Sequence, residues 1–135
     1  MEVRSLHHVA MAVEDLDDAV AGYERVFGAE IERRGTMEDQ GVEAVYLRLG
    51  DGRVELVSAL AEETPVGRFL AKRGPGMHHV AFEVADLESA IGEIERAGGT
   101  VIEPAPRPGL SGHDVAFVHP DSLYGVLAEV VGPGG

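Results

Sequence analysis

The chain has 135 residues, which suits one ordinary domain or two very small modules that share a core. With 24 acidic and 11 basic residues its net charge is −13, which disfavours nucleic-acid binding, because that binding relies on Lys and Arg against phosphates. The absence of cysteine excludes disulfides and thiolate metal sites, and together with the lack of an apolar signal core or a membrane-length apolar run it predicts a cytoplasmic protein.

An internal repeat organises the chain. Residues 7–31 and 78–102 align without a gap at an offset of 71, and 12 of the 25 aligned positions are identical. Coincidence between two amphipathic segments does not account for so many identities. The sequence therefore predicts two modules of the same construction.

Each copy of the repeat predicts a strand followed by a helix. The apolar runs 6–13 and 77–84 are typical of strands, and apolar residues at helical spacing follow each of them. Asp15 and Asp86 precede the helices, where a carboxylate caps the first free backbone N–H groups. Glycines mark the predicted helix ends, at Gly28 and at Gly98-Gly99.

Three strand-like runs follow each predicted helix, so each module has the order β-α-β-β-β. We therefore predict an α+β fold of two tandem βαβββ modules in a single domain, 1–135, with a first module at 1–62, a linker helix within 63–75 and a second module at 76–135. Prolines at positions 104, 106 and 108 predict a loop. The predicted later strands are Ala29–Arg34, Glu43–Leu49, Arg53–Ala59, Thr100–Glu103, His113–His119 and Gly125–Val131.

The first strand of each module carries one histidine on the face opposite its large apolar residues. Side chains alternate along a strand, so His8 shares a face with Ala10, and His79 shares a face with Ala81. The large apolar residues are needed on the side that packs against the helix. The two histidines therefore point away from the helices, beside small side chains that leave room for a cavity.

A glutamate recurs in the last strand of each module, Glu55 in the first and Glu129 in the second. An ionised carboxylate inside so apolar a strand is costly unless it is paired or bound to a metal. Two histidines and two carboxylates suit a divalent ion with open coordination positions, whereas a closed structural zinc site usually contains cysteine. Each residue alone is typical of a structural or surface position, and the recurrence of the pair is what favours a site. The predicted metal ligands are His8, Glu55, His79 and Glu129.

The other four histidines are interpreted as structural residues. His7 and His78 fall on the opposite strand face from the predicted ligands and are expected to pack or to form hydrogen bonds. His119 precedes a proline and is expected in a turn. His113 is interpreted as a histidine at a loop end, with contact to a ligand as the alternative.

The motifs around the predicted ligands resemble those of the methylmalonyl-CoA epimerases, a family of the vicinal oxygen chelate superfamily that includes glyoxalases, bleomycin resistance proteins and dioxygenases. The His/Glu set is common to that superfamily. The Gln-Gly-Val segment, the Phe-Leu-Ala-Lys helix end and the Phe-x-His-Pro-x₄-Gly-Val-Leu-x-Glu ending are more particular to the epimerases. The resembling segments are 6–10, 38–42, 54–57, 65–74, 76–82 and 117–129.

The resemblance implies a cupped mixed sheet around one divalent ion, in a homodimer. It implies an isomerase that epimerises (2R)- and (2S)-methylmalonyl-CoA by abstracting the C2 proton through a metal-stabilised enolate. Co²⁺ is the expected ion, with Mn²⁺, Ni²⁺, Fe²⁺ and Zn²⁺ as alternatives. The expected partners are an acyl-CoA thioester and a second copy of the chain, with no nucleic acid and no membrane. The alternatives are a glyoxalase I-like lyase or isomerase and a non-catalytic small-molecule binding protein of the same superfamily.

The chain departs from the family pattern at two positions. Ala44 stands where some epimerases carry a glutamate in a proposed base role, and Glu43 is one residue away, on the opposite face of its strand. Glu129, also a metal ligand, is therefore our candidate for one catalytic base, and Glu55 is the candidate for its partner. Asp121 follows a His-Pro pair where the family often has lysine, so one positive contact to the substrate is lost.

Coenzyme A thioesters carry phosphates, so binding to so acidic a chain requires local cations. Arg107 and the basic residues of the linker helix are predicted to supply them, and a solvated helix face is the alternative. The loop 109–112 is predicted to offer backbone N–H groups to the substrate carboxylate, with a plain hairpin turn as the alternative. The predicted substrate-binding residues are Lys72, Arg73, Ser111 and Gly112.

Overall fold

The computed structural model describes residues 1–133, which form eight β-strands, three α-helices and two short 3₁₀ helices. The element order is β-α-β-β-β, one helix, and β-α-β-β-β again, which confirms the predicted α+β class. No helix in this part of the chain is long and apolar enough to cross a membrane. The strands are β1 (Val3–Ala12), β2 (Glu30–Met37), β3 (Val42–Leu49), β4 (Gly52–Ala59), β5 (Gly76–Val84), β6 (Val101–Pro108), β7 (Asp114–Val118) and β8 (Ala128–Val131), and the helices are α1 (Leu16–Phe27), α2 (Pro65–Arg73) and α3 (Leu87–Arg96).

Residues His8–His78 form one compact unit. Its strand order is β2-β3-β4-β1, with β1 parallel to β4 and β3 antiparallel to both of its neighbours. Glu55 lies opposite Ala10 on one side and opposite Tyr46 on the other. Because directly opposed residues point to the same face of a sheet, these three side chains share one face.

The second compact unit consists of Met1–His7 and the described residues from His79 onward. Its strand order is β5-β8-β7-β6, with β5 parallel to β8 and β7 antiparallel to both of its neighbours. Glu129 lies opposite Ala81 on one side and opposite Phe117 on the other. The second unit therefore repeats the internal register of the first.

The N-terminal helix caps are those that the sequence predicts, whereas α3 is capped at its C-terminal end by Ala97, just before the predicted Gly98-Gly99. Asp15 accepts a hydrogen bond from the backbone N–H of Asp18 at 3.0 Å, and Asp86 accepts one from the N–H of Ser89 at 3.1 Å. Each carboxylate thus satisfies a backbone donor that the first helical turn leaves unpaired. Helix α1 ends at Gly28, whose φ of +67° is in the left-handed region that favours glycine.

The strand alternation also agrees with the sequence. On one face of the first unit, Met11 and Val13 pack against Leu16 and Val20 of α1. His8 lies on the opposite face and is buried. The burial of apolar side chains between helix and sheet therefore fixes which way the histidine points.

The proline-rich segment does not form the predicted loop, because β6 runs through it. This strand comes last in the order of its unit, and prolines are tolerated in edge strands. The register with β7 shifts between Ile102 and Arg107, so the prolines at positions 104 and 106 fall where the ladder is interrupted. Strand β8 is also shorter than predicted, since a 3₁₀ helix at Pro120–Leu123 and a turn precede Ala128.

Two glycines in helices are expected to respond oppositely to the same substitution. A Cβ at Gly67 of α2 would collide with the carbonyl oxygens of Ala61 and Glu62, whereas a Cβ at Gly22 of α1 would have Arg25 as its nearest neighbour, at 4.0 Å. Gly67→Ala should lower the free energy of unfolding by about 1–3 kcal/mol through overpacking. Gly22→Ala should raise it by about 0.5–1 kcal/mol, because alanine favours the helix. Urea denaturation measures both, and a stabilised Gly67→Ala would contradict the packing of α2.

Candidate metal and active site

The first unit brings His8 and Glu55 together. Strand β1 runs parallel to β4, and this register places both side chains on the face that Ala10 lines. Nε2 of His8 lies 3.4 Å from Oε1 of Glu55. The two residues are 1% and 3% exposed, so the carboxylate is removed from water and meets an imidazole instead.

The second unit holds an equivalent pair, His79 and Glu129. Strand β5 runs parallel to β8, and Nε2 of His79 lies 3.8 Å from Oε1 of Glu129. Both residues are 5% exposed. Burying an ionisable pair costs free energy unless it is compensated, so its presence in both units indicates a function.

An aromatic ring contacts each of these histidines. The ring centroids of His8 and Tyr46 are 5.2 Å apart, and those of His79 and Phe117 are 5.5 Å apart. Tyr46 and Phe117 are separated by 71 residues, the offset of the repeat, so both units use the same position on their third strand. Sequence reasoning missed these rings, although the offset and the strand parity point to them.

The donor chemistry fits a divalent metal ion. Imidazole nitrogens and carboxylate oxygens are ligands that borderline and hard cations accept, and the neighbouring Ala10 and Ala81 are small. His8 of the first unit, and His79 and Glu129 of the second, are buried and offer donors of these types.

The third strand of the first unit, β3, contains the position where the family resemblance implies a glutamate as a base. Ala44 is fully buried, and Glu43 turns to the other face, where its carboxylate lies 2.9 Å from Nε of Arg34. Arg34 also donates to Asp17 at 2.6 Å. Two hydrogen bonds raise the pKa of the Arg34 guanidinium, the one to Asp17 more than the one to Glu43. Glu43 therefore belongs to a surface ion-pair network and not to the face that carries His8.

The remaining histidines make the structural contacts expected of them. His7 packs edge-on against His113 with ring centroids 5.3 Å apart, and His78 packs edge-on against Phe69 at 5.0 Å. Nδ1 of His119 accepts a hydrogen bond from the N–H of Asp121 at 3.1 Å, as a turn residue would. His113 is buried just before β7, which is more enclosed than a loop-end histidine usually is.

The predicted substrate-binding residues lie on two surface elements. Lys72 and Arg73 are exposed in the last turn of α2, and the guanidinium carbon of Arg73 lies 5.6 Å from the ring centroid of Phe69. Ser111 and Gly112 lie in the connection between the antiparallel strands β6 and β7, where Gly112 has a φ of +78°. The connection is a hairpin, and its contact with a substrate stays a prediction.

Comparison with known proteins agrees with this geometry. Residues 7–117 match the family model of the glyoxalase/bleomycin resistance protein/dioxygenase superfamily. The mitochondrial methylmalonyl-CoA epimerase of Dictyostelium discoideum is 33% identical over 95% of this chain and 78% of its own length. The ethylmalonyl-CoA/methylmalonyl-CoA epimerase of Cereibacter sphaeroides is 36% identical over 93% of this chain and 95% of its own.

A solved structure gives the same result. A variant of the Streptomyces coelicolor methylmalonyl-CoA epimerase in complex with 2-nitronate-propionyl-CoA is 32% identical, covers 99% of this chain and 100% of its own, and superposes with a TM-score of 0.96. These similarities do not favour the glyoxalase I-like or the non-catalytic alternative. The chain belongs to the vicinal oxygen chelate superfamily and, within it, to the methylmalonyl-CoA epimerase family.

Proposed function

We propose that this chain is an epimerase that interconverts (2R)- and (2S)-methylmalonyl-CoA with the help of one divalent metal ion. The observation that carries the proposal is the buried His–Glu pair that occurs once in each unit, at 3.4 Å and 3.8 Å. The similarity to methylmalonyl-CoA epimerases supports the substrate. The proposed ligands are His8, Glu55, His79 and Glu129, with Co²⁺ as the first ion to test and Mn²⁺, Ni²⁺, Fe²⁺ and Zn²⁺ as alternatives.

The chemistry required is a proton transfer at C2, which lies between a thioester and a carboxylate. A bound divalent ion would supply Lewis-acid stabilisation of the charge that develops on the thioester oxygen. The protein must then provide one group that removes the C2 proton and another that returns a proton to the opposite face.

Glu129 and Glu55 are our candidates for these two groups. In the forward direction, a carboxylate oxygen of Glu129 takes the proton, and the electrons of the broken C–H bond move towards the thioester carbonyl. Glu55, in its acid form, then gives a proton to the other face of C2, and the reverse reaction exchanges the roles. Both carboxylates are buried, Glu55 at 3% and Glu129 at 5% exposure.

Substrate contacts from Lys72, Arg73, Ser111 and Gly112 are part of the proposal, as are the homodimer and the cytoplasmic location. The helix α2 cations suit the phosphates of the coenzyme, and the backbone N–H groups of the hairpin suit a carboxylate. Size-exclusion chromatography with light scattering tests the dimer directly: a purely monomeric species at micromolar concentration would contradict it.

The experiment that tests the function is hydrogen exchange. Metal-loaded protein is incubated with methylmalonyl-CoA in deuterated water, and deuterium at C2 is measured by mass spectrometry. We expect deuterium in both epimers and interconversion of the two. Absence of exchange with Co²⁺, Mn²⁺ and Ni²⁺ would overturn the proposal, and methylglyoxal with glutathione is the comparison substrate that tests a glyoxalase activity instead.

A further inference from the structure

Three arginines share one face of the sheet in the His8–His78 unit. Arg48 of β3 lies directly opposite Arg53 of β4, and Arg33 of β2 lies opposite Tyr46, which is two residues before Arg48. Directly opposed residues, and residues two apart on one strand, point to the same face. The three guanidinium groups therefore start from neighbouring positions of a single face.

Placing these charges together costs stability, since like charges directly opposite each other on a sheet repel. Glu32 reduces the cost. It lies at the irregularity of β2 between Ile31 and Arg33, and its Oε1 is 2.5 Å from Nε of Arg53. Its Oε2 is 3.1 Å from Nη2 of Arg53 and 3.6 Å from Nη1 of Arg48. Glu30 lies directly opposite Arg48 and is a second carboxylate on this face. Glu55 of the same face is paired with His8. Two carboxylates against three guanidinium groups leave the arginine cluster (Arg33, Arg48 and Arg53) with one positive charge in excess, in a chain whose net charge is −13.

The arginine cluster is continuous with the His8–Glu55 pair. Arg53 precedes Glu55 by two residues on the same face, a rise of roughly 7 Å along the strand. The guanidinium carbon of Arg53 lies 5.4 Å from the ring centroid of Tyr46, and that ring is the one that contacts His8. The Arg53 side chain is only 19% exposed, so its orientation is fixed by the ring and by Glu32.

We propose that Arg33, Arg48 and Arg53 form a binding site for an anionic group of the substrate, either a phosphate of coenzyme A or the carboxylate of the acyl group. The identity of the ligand rests on the proposed function. Guanidinium groups bind both anions through paired, charge-assisted hydrogen bonds. Glu32 holds Arg53 in its orientation and competes with the incoming anion for part of the guanidinium fork. The site supplies the local cations that an acidic chain needs to bind a polyanion.

The test compares the Arg48→Gln/Arg53→Gln double variant with Arg34→Gln. Arg34 lies on β2 but pairs with Asp17 and Glu43 on the other face, so the control removes a charge from the same sheet. Isothermal titration calorimetry measures two probes: free coenzyme A, which has phosphates and no acyl carboxylate, and the methylmalonyl thioester of N-acetylcysteamine, which has the carboxylate and no phosphate. We expect the double variant to bind one probe about tenfold or more weakly. The Arg34→Gln variant should stay within about twofold of the unaltered protein for both probes.

The probe that loses affinity identifies the anion. Weaker binding of coenzyme A, with a smaller dependence on salt, assigns the site to phosphate, and weaker binding of the thioester assigns it to the carboxylate. Unchanged binding of both probes would overturn the inference. Glu32→Gln keeps an oxygen that can accept a hydrogen bond from Arg53 and so orient it, but removes the competing negative charge. It should therefore tighten binding of the affected probe, and weaker binding by Glu32→Gln would also overturn the inference.

Two further variants guard against a trivial loss of folding. Arg48→Gln alone keeps the Arg53–Tyr46 contact, and Arg53→Lys keeps the charge. Each should retain the thermal midpoint of the unaltered protein and bind more tightly than the double variant. Failure of the proposed function is seen elsewhere, as absence of deuterium exchange in the unaltered protein, whereas failure of this inference is seen as unchanged probe binding in the double variant.

Discussion

Replacing His79 with alanine should abolish stoichiometric metal binding, whereas replacing His78 with alanine should leave it intact. His79 is buried beside Glu129, while its neighbour points to the other strand face and packs against Phe69. Losing one nitrogen donor from the proposed set of four ligands is expected to weaken binding by at least about 100-fold, since even residues outside a ligand set change metal affinity by 10–100-fold. Dialysis against Co²⁺ followed by elemental analysis measures the stoichiometry.

The visible absorption of bound Co²⁺ gives a second measure that does not depend on turnover. Its band positions report the number and type of donors, so His79→Ala should change or remove them and His78→Ala should not. Glu129→Ala should behave like His79→Ala. Full stoichiometric metal in both His79→Ala and Glu129→Ala would refute the ligand assignment, even if the protein proved to be an active epimerase.

The second large effect is expected at the two buried glutamates. Glutamine keeps an oxygen donor but cannot accept or return a proton at C2. Each of Glu55→Gln and Glu129→Gln should therefore slow epimerisation by about 10²–10⁴-fold, the usual contribution of a general acid or base. Because the two carboxylates are proposed to serve opposite faces of C2, each variant should still exchange the proton of one epimer without inverting it.

Deuterium incorporation is measured separately for the (2R) and (2S) substrates. Exchange of only one epimer distinguishes the loss of a single acid or base from the loss of the whole active site. Glu43→Gln is the matched control, since that carboxylate pairs with Arg34 on the other face. It should epimerise within about twofold of the unaltered protein. Equal loss of exchange from both epimers in both glutamine variants would show that the glutamates act together and not as one base for each face.

The sequence predicts the donor pairs well because each depends on local properties. Because side chains alternate along a strand, His8 and Met11 are predicted on opposite faces, and the repeat predicts the same arrangement in the second half. Helix caps are equally local, and Asp15 and Asp86 form them as expected. The structure confirms the two caps and the strand faces, because burial of the apolar strand face against a helix leaves only one way for the histidines to point. The role of the pairs as metal donors stays a prediction.

Features that depend on register between strands were not predicted. Arg48 and Arg53 lie opposite each other only because β3 pairs with β4 in one particular register. The position of Glu32 depends on an irregularity in β2 that the composition of β2 does not indicate. The proline-rich segment was wrongly predicted as a loop for the same reason. Proline is excluded from a central strand but accepted in an edge strand, and strand order is not a local property.

The contact between a ring and a histidine in each unit shows where the two modules differ. Tyr46 and Phe117 occupy the same position of the repeat, as do Ala44 and Val115, yet neither pair is identical. The His–Glu pair, in contrast, is the same in both units. The donors are therefore the part of the repeat that both units retain, and the side chains beside them are the part that varies.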